Sequence, residues 1–219
     1  MACRTAWIAA IALAATGCMQ RPSVDGAPDP RADRLRAALG ALSAQKGYRA
    51  ARRLTRDGRE TVVRDLVIAP DYVHTSGDEG ETFARGGRVV RRSSSGRGWL
   101  REEAPARAAG VKADVEALLR WAGPDARFAE PRREEECDVV EFSLEGDALA
   151  RVVEAQGGEA RGASSVAVAV WVGADGLPRR ARQRYQGASP VEVVCEFSDF
   201  GIDSDPDIPG PVRRLLDIP

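Results

Sequence analysis

Histidine is almost absent from this sequence: His74 is the only one in 219 residues. Cysteine is scarce too, at positions 3, 18, 137 and 195, with no Cys-x-x-Cys spacing. Without a His/Cys cluster no metal site is expected, since tetrahedral and open metal centres are built from such groups. No excess of positive charge is present either: 32 Lys and Arg face 33 Asp and Glu, and only two of the former are lysine. That balance excludes the basic face nucleic-acid binding requires.

Catalytic motifs are also missing. His74 has no second histidine and no serine or cysteine in a recognisable elbow to act with. Ser93-Ser94-Ser95-Gly96 has loop composition, and Glu134-Glu135-Glu136 would alternate between the faces of a strand, as expected of a solvated lead-in to Cys137. Gly86-Gly87 and Gly157-Gly158 lack the strand-to-helix context and the lysine of a phosphate loop. These absences point to a protein that is not an enzyme and carries no cofactor.

What is present begins at the amino terminus. Arg4 precedes an apolar run over residues 7–15, and Ala15-Thr16-Gly17 places small residues directly before Cys18. The run is too short to span a bilayer, so it is expected to be a cleaved export signal. Ala15-Thr16-Gly17-Cys18 resembles the lipobox of bacterial lipoproteins, in which cleavage precedes the cysteine and that cysteine carries the lipid. An ordinary secretory signal cut elsewhere is the competing reading. On the lipoprotein reading, residues 1–17 are the signal, 18–30 a Pro- and Gly-bearing tether, and 31–219 a single domain. A tether of that composition holds the domain within roughly 20 Å of the membrane on average. Met19 and Gln20 lack the aspartate that retains some lipoproteins at the inner membrane. The expected location is therefore the cell envelope, at the outer membrane facing the periplasm in a Gram-negative host.

Removal of the signal leaves Cys137 and Cys195 in the domain, both in strand-like runs. Outside the cytoplasm the two thiols are available for a disulfide, and two separate buried thiols are the alternative.

Periodicity then orders the chain. Leu35, Leu39 and Leu42 form one apolar stripe of a helix over residues 31–45, stopped at Gly47. Residues 48–55 and 61–69 alternate about Arg56-Asp57-Gly58 as a hairpin. Short strands follow at 72–75, 81–85, 88–92 and 98–101, too closely spaced for intervening helices, so the sheet is antiparallel. Residues 111–122 return to helical spacing before Gly123-Pro124. Further strands are expected at 126–130, 136–144, 165–172, 177–186 and 191–200, with a short helix at 147–155 capped by Asp147. Val166, Val168, Val170 and Val172 alternate with Ala167, Ala169 and Trp171, so both faces of that strand are covered.

Three stretches carry a likeness to a known family. Leu66-Val67-Ile68-Ala69-Pro70-Asp71-Tyr72-Val73-His74 is similar to a strand that ends in proline before the next begins. Gly86-Gly87-Arg88-Val89-Val90-Arg91-Arg92 with Trp99, and Glu196-Phe197-Ser198-Asp199-Phe200-Gly201 with Ile208-Pro209, complete it. Together with the element order they resemble the LolA/LppX type of bacterial lipid-binding proteins. That resemblance implies an α+β fold: a curved antiparallel β-sheet, or half-barrel, with helices packed on the concave face around an apolar cavity for acyl chains. The residues it nominates for the cavity are Leu66, Ile68, Val168, Val170, Val193 and Phe197, facing Leu118 and Trp121; a filled core is the alternative. The implied partners are the membrane, through lipidated Cys18, and a lipid or lipoprotein ligand. An RseB-like envelope sensor or scaffold that binds a protein is the rival function.

Overall fold

The computed structural model describes residues 29–68, 72–96, 98–102, 126–156, 162–203 and 207–218. Cys18, the signal, most of the tether and the helix expected at 111–122, with Leu118 and Trp121, lie outside the described residues.

The chain starts with helix α1 (Pro30–Ser43), which Asp29 caps by accepting the Arg31 backbone N–H at 2.9 Å. Such a cap contributes about 1 kcal/mol. Leu35, Leu39 and Leu42 are buried as their spacing requires, each contributing roughly 1.5–3 kcal/mol by leaving water.

A meander follows: β1 (Gly47–Arg56), β2 (Arg59–Ile68), β3 (Tyr72–Gly77), β4 (Gly80–Arg85), β5 (Arg88–Ser93) and β6 (Leu100–Glu102). Asp57-Gly58 and Gly86-Gly87 make two of its two-residue turns with positive φ at both positions, a geometry that matches strand twist. The second half comprises β7 (Arg127–Phe128), β8 (Arg132–Glu134), β9 (Cys137–Glu145), helix α2 (Gly146–Gln156), β10 (Ala163–Val172), β11 (Pro178–Gly187), β12 (Val191–Ser198) and helix α3 (Gly210–Leu215).

All twelve strands join one antiparallel sheet in the order β6-β5-β4-β3-β2-β1-β12-β11-β10-β9-β7, with β8 also pairing β9. The halves meet where β1 pairs β12, from Arg49 opposite Ser198 to Arg56 opposite Val191. Among the described residues the sheet does not close, and it forms the curved half-barrel expected.

Strand parity divides the side chains between two faces. On one face Tyr48, Ala50, Phe142, Val168, Val170, Tyr185, Val193 and Phe197 pack with α1 and α2 into the main core. On the other, Leu66, Ile68, Tyr72, Phe83 and Val90 pack with Ile208, Val212 and Leu216.

Three features depart from expectation. Glu134-Glu135-Glu136 is exposed at its last two residues, as expected of a solvated lead-in to Cys137, but it does not alternate between strand faces: Glu135 and Glu136 adopt φ of 51° and 62° and form a tight hairpin turn from β8 into β9. Asp147 sits in the first turn of α2 and not at its cap, because the helix starts from Gly146 at φ 54°. α3, too short to show a clear period in the sequence, covers the face opposite α1 and α2.

Cys137 and Cys195 are not joined by a disulfide. Cys137 packs with Val139, Ala169 and Trp171 on one face, whereas Cys195 lies in the main core on the other. Their strands are separated by β10 and β11, which at about 4.8 Å per strand leaves roughly 14 Å between them. A disulfide bridges Cα atoms less than about 7 Å apart, so this geometry does not join them.

Candidate functional site

The half of the helix-bearing face built by β9–β12 is filled, but the half built by β1–β5 is indented. A groove of about 400 Å³ crosses it. The register explains its lining. Leu54 opposes Thr61, Arg52 opposes Val63, Val63 opposes Gly77, Thr75 opposes Thr82, and Thr82 opposes Arg91. All project to the face of Tyr48 and Ala50. Threonine and glycine at these positions leave space that larger side chains would fill.

The groove is amphipathic. Leu54 and Val63 supply apolar surface, while Arg52, half-buried with its Nε shielded from water, and Arg91, 3.9 Å from Glu102, supply positive charge. Asp78 and Glu79 stand at one end, in the β3–β4 turn. Asp65, only 5% exposed, lies on the same face one step along the ladder from Arg52.

No protein-family profile and no curated protein matches the sequence. Solved structures do match. LprF of Mycobacterium bovis superposes with a TM-score of 0.50 at 11% identity, over 85% of this chain and 99% of that one. The chain has the fold of LprF. Lipoprotein LppX of Mycobacterium tuberculosis gives a TM-score of 0.48 at 11% identity, over 82% and 100% of the two chains. A chain of the Pseudomonas aeruginosa MucA/MucB complex gives 0.44 at 14% identity, over 81% and 59%.

Within this half-barrel the residues nominated from sequence do not converge. Val168, Val170, Val193 and Phe197 share one face but are at most 5% exposed, packed against α1 and each other. Leu66 and Ile68 project to the opposite face beneath α3. The reason is parity: Leu66 and Ile68 are even-numbered residues of β2, and the helix-bearing face takes the odd ones, Thr61, Val63, Asp65 and Val67. The groove residues were overlooked because threonine and glycine carry little hydrophobic signal. The available clue was their recurrence at every second position of β2 and β3.

The opposite face holds the chain's histidine. His74 Nε2 lies 2.9 Å from Glu81 Oε1, its ring stacks on Phe83 at 4.2 Å, and Arg92 donates to Glu81 Oε2 at 2.7 Å. Arg92 also lies over the Trp99 ring, 4.5 Å from its centre. His74 is thus held in a strand-spanning polar ladder. Among the described residues no three His, Cys, Asp or Glu side chains are grouped to hold a metal ion.

Tyr72, beside this ladder, is 4% exposed, and its hydroxyl pKa is pushed up to about 12, first by burial and then by the Glu81 charge. Because the folded value lies above the unfolded one, near 10, this group stabilises the fold fully below pH 10. The contribution, about 3 kcal/mol in all, is lost as pH rises from about 10 to about 12. Tyr72→Phe is therefore expected to flatten the alkaline arm of a urea-stability profile between those pH values. An unchanged arm would contradict the assignment to Tyr72.

Proposed function

We propose that the protein is a non-catalytic, lipid-anchored protein of the cell envelope that binds an acyl-bearing ligand on the helix-bearing face of its half-barrel. The groove across β1–β5 is the observation that carries this reading: its volume of about 400 Å³ falls within the range of small-molecule sites, about 300–1,000 Å³. It opens on the face that bears the apolar core, in a fold shared with LprF. Each methylene withdrawn from water there contributes about 0.8 kcal/mol, so a chain of several carbons is held with few polar contacts. Arg52 and Arg91 suit the polar end of such a ligand. Anchoring is assigned to Cys18, which keeps the domain at one membrane and favours local lipid handling over transport between membranes.

The test is mass spectrometry of the full chain purified from membranes, compared with Thr75→Trp, which places a large ring in the groove. Acyl chains are expected with the unaltered protein, and at least about tenfold less with the variant, a loss of about 1.4 kcal/mol. Protein free of acyl chains that instead retains a protein partner would replace this reading with the sensor or scaffold. Cys18→Ser is expected to move the chain out of the membrane fraction.

A further inference from the structure

On the face away from the groove, Trp171 is only 2% exposed although it points from the outer side of the sheet. Arginines cover it. The guanidinium carbons of Arg180, Arg182 and Arg132 lie 4.9, 5.2 and 5.9 Å from the ring centre. Register produces the stack: Arg180 directly opposes Trp171, and Arg182 opposes Ala169 one step along the same face.

The acids nearby are committed to other arginines. Glu196 accepts from Arg53 at 2.6 Å, Glu192 from Arg184 at 2.6 Å, and Glu141 from Arg132 at 3.3 Å. Arg132 also pairs with Glu134. Arg180 and Arg182 have no carboxylate within ion-pair distance among the described residues. Burial, with the charges of Arg184 and Arg180, holds the Arg182 guanidinium below its ordinary pKa, against the opposing pull of Glu192 and Glu141.

Two buried donors at the same place are also unused. Trp171 Nε1 and Arg180 Nε are both shielded from water and have no hydrogen-bond partner. A buried donor without an acceptor costs about 1–3 kcal/mol, more when charged. Positive charge held in no ion pair and unpaired N–H groups on directly opposed residues call for the same thing: an anion with several acceptor oxygens.

We propose that Trp171, Arg180 and Arg182 form a binding site for an oxyanion of the phosphate class, free in solution or carried on a lipid headgroup. Arginine pairs suit this ligand because their planar forks donate two parallel hydrogen bonds to adjacent oxygens. The site lies on the other face from the groove and stands or falls independently of the ligand proposed there.

The indole N–H resonance of Trp171, assigned by comparison with Trp171→Phe, reports on the site directly. Sodium phosphate titrated into the full chain at constant ionic strength is expected to shift it saturably. In the Arg180→Gln/Arg182→Gln double variant the affinity should fall by at least about tenfold, as expected for lost charged hydrogen bonds. Arg180→Lys/Arg182→Lys, which keeps the charge, should recover part of it. Binding to phosphatidylglycerol-containing vesicles over pure phosphatidylcholine, lost in the Gln variant, would identify the lipid headgroup as the source. Saturable binding of phosphate alone would identify the free ion. A resonance that responds to neither probe, or a response unchanged in a Gln variant that folds as judged by circular dichroism, overturns the site.

Discussion

Gly80→Ala is expected to destabilise the protein by about 3 kcal/mol or more. Gly80 has φ of +134°, a conformation L side chains rarely adopt and whose strain costs about 1–3 kcal/mol. The space is closed as well. A Cβ at this position would overlap the Arg92 carbonyl oxygen and approach Ser93 Cα to 2.8 Å, both part of the neighbouring strand. Backbone cannot swing aside as a side chain can, so β4 and β5 would have to separate at the Gly80–Ser93 end of their ladder. Gly58→Ala is the comparison: φ there is +73°, but nothing lies within 4 Å of the added atom. Its cost should stay near the 1–2 kcal/mol of left-handed strain alone. Urea unfolding of both variants decides the point, and equal losses would show that the approach of β5 contributes nothing. Gly80 also borders the groove, so this change is expected to weaken ligand retention in addition.

Phe142→Ala should cost about 3–5 kcal/mol, the range for emptying a buried aromatic site. Phe142 is 1% exposed, opposes Val168 on β10 and Phe128 on β7, and its ring centre is 5.5 Å from that of Phe128. The void would open between two strands and the underside of α1, where hydrogen-bonded neighbours cannot collapse to fill it. For a domain of this size each kcal/mol lowers Tm by about 2–4 °C, so a drop of roughly 10 °C is expected in a thermal melt. Leu100→Ala, at a side chain 72% exposed, should leave Tm within about 1 °C. A Phe142→Ala melt as mild as that of Leu100→Ala would mean that the main core is not where the stability resides.

The groove and the filled core lie on one face of one sheet, and the difference between them comes from side-chain volume. Across β9–β12 that face carries Val, Phe, Leu and Tyr and has α1 and α2 packed upon it. Across β2–β4 it carries Thr61, Thr75, Gly77, Gly80 and Thr82. The groove is thereby confined to the half that the packed helices leave less filled.

Much of this was legible beforehand, for stated reasons. The leucine spacing of α1, the Asp57-Gly58 and Gly86-Gly87 turns and the valine alternation of β10 are local signals, set by backbone geometry within a few residues. The antiparallel meander followed from turns too frequent for crossover helices. Signals that depend on context failed. Glu135-Glu136 occupies a tight turn without being turn-forming residues, because β8 and β9 pair on either side and hold it there. α3 has six residues, too few for a period, and is stabilised by Ile208, Val212 and Leu216 meeting Tyr72, Phe83 and Val90.

The sequence by itself determined the element types, the antiparallel architecture and which residues of each strand share a face, since these rest on periods of 2 and 3.6 residues. Only the tertiary structure decided which face of β1–β5 lies on the same side as the α1 core. That choice is made by the pairing of β1 with β12, whose contacting residues are far apart in the chain. The same pairing puts Leu66 and Ile68 under α3 and opens the groove on Val63, Thr75 and Thr82, while the β9–β12 ladders leave Cys137 and Cys195 on opposite faces. Parity within a strand is a local property, but the assignment of a face to the core is a long-range one, and no short stretch of sequence encodes it.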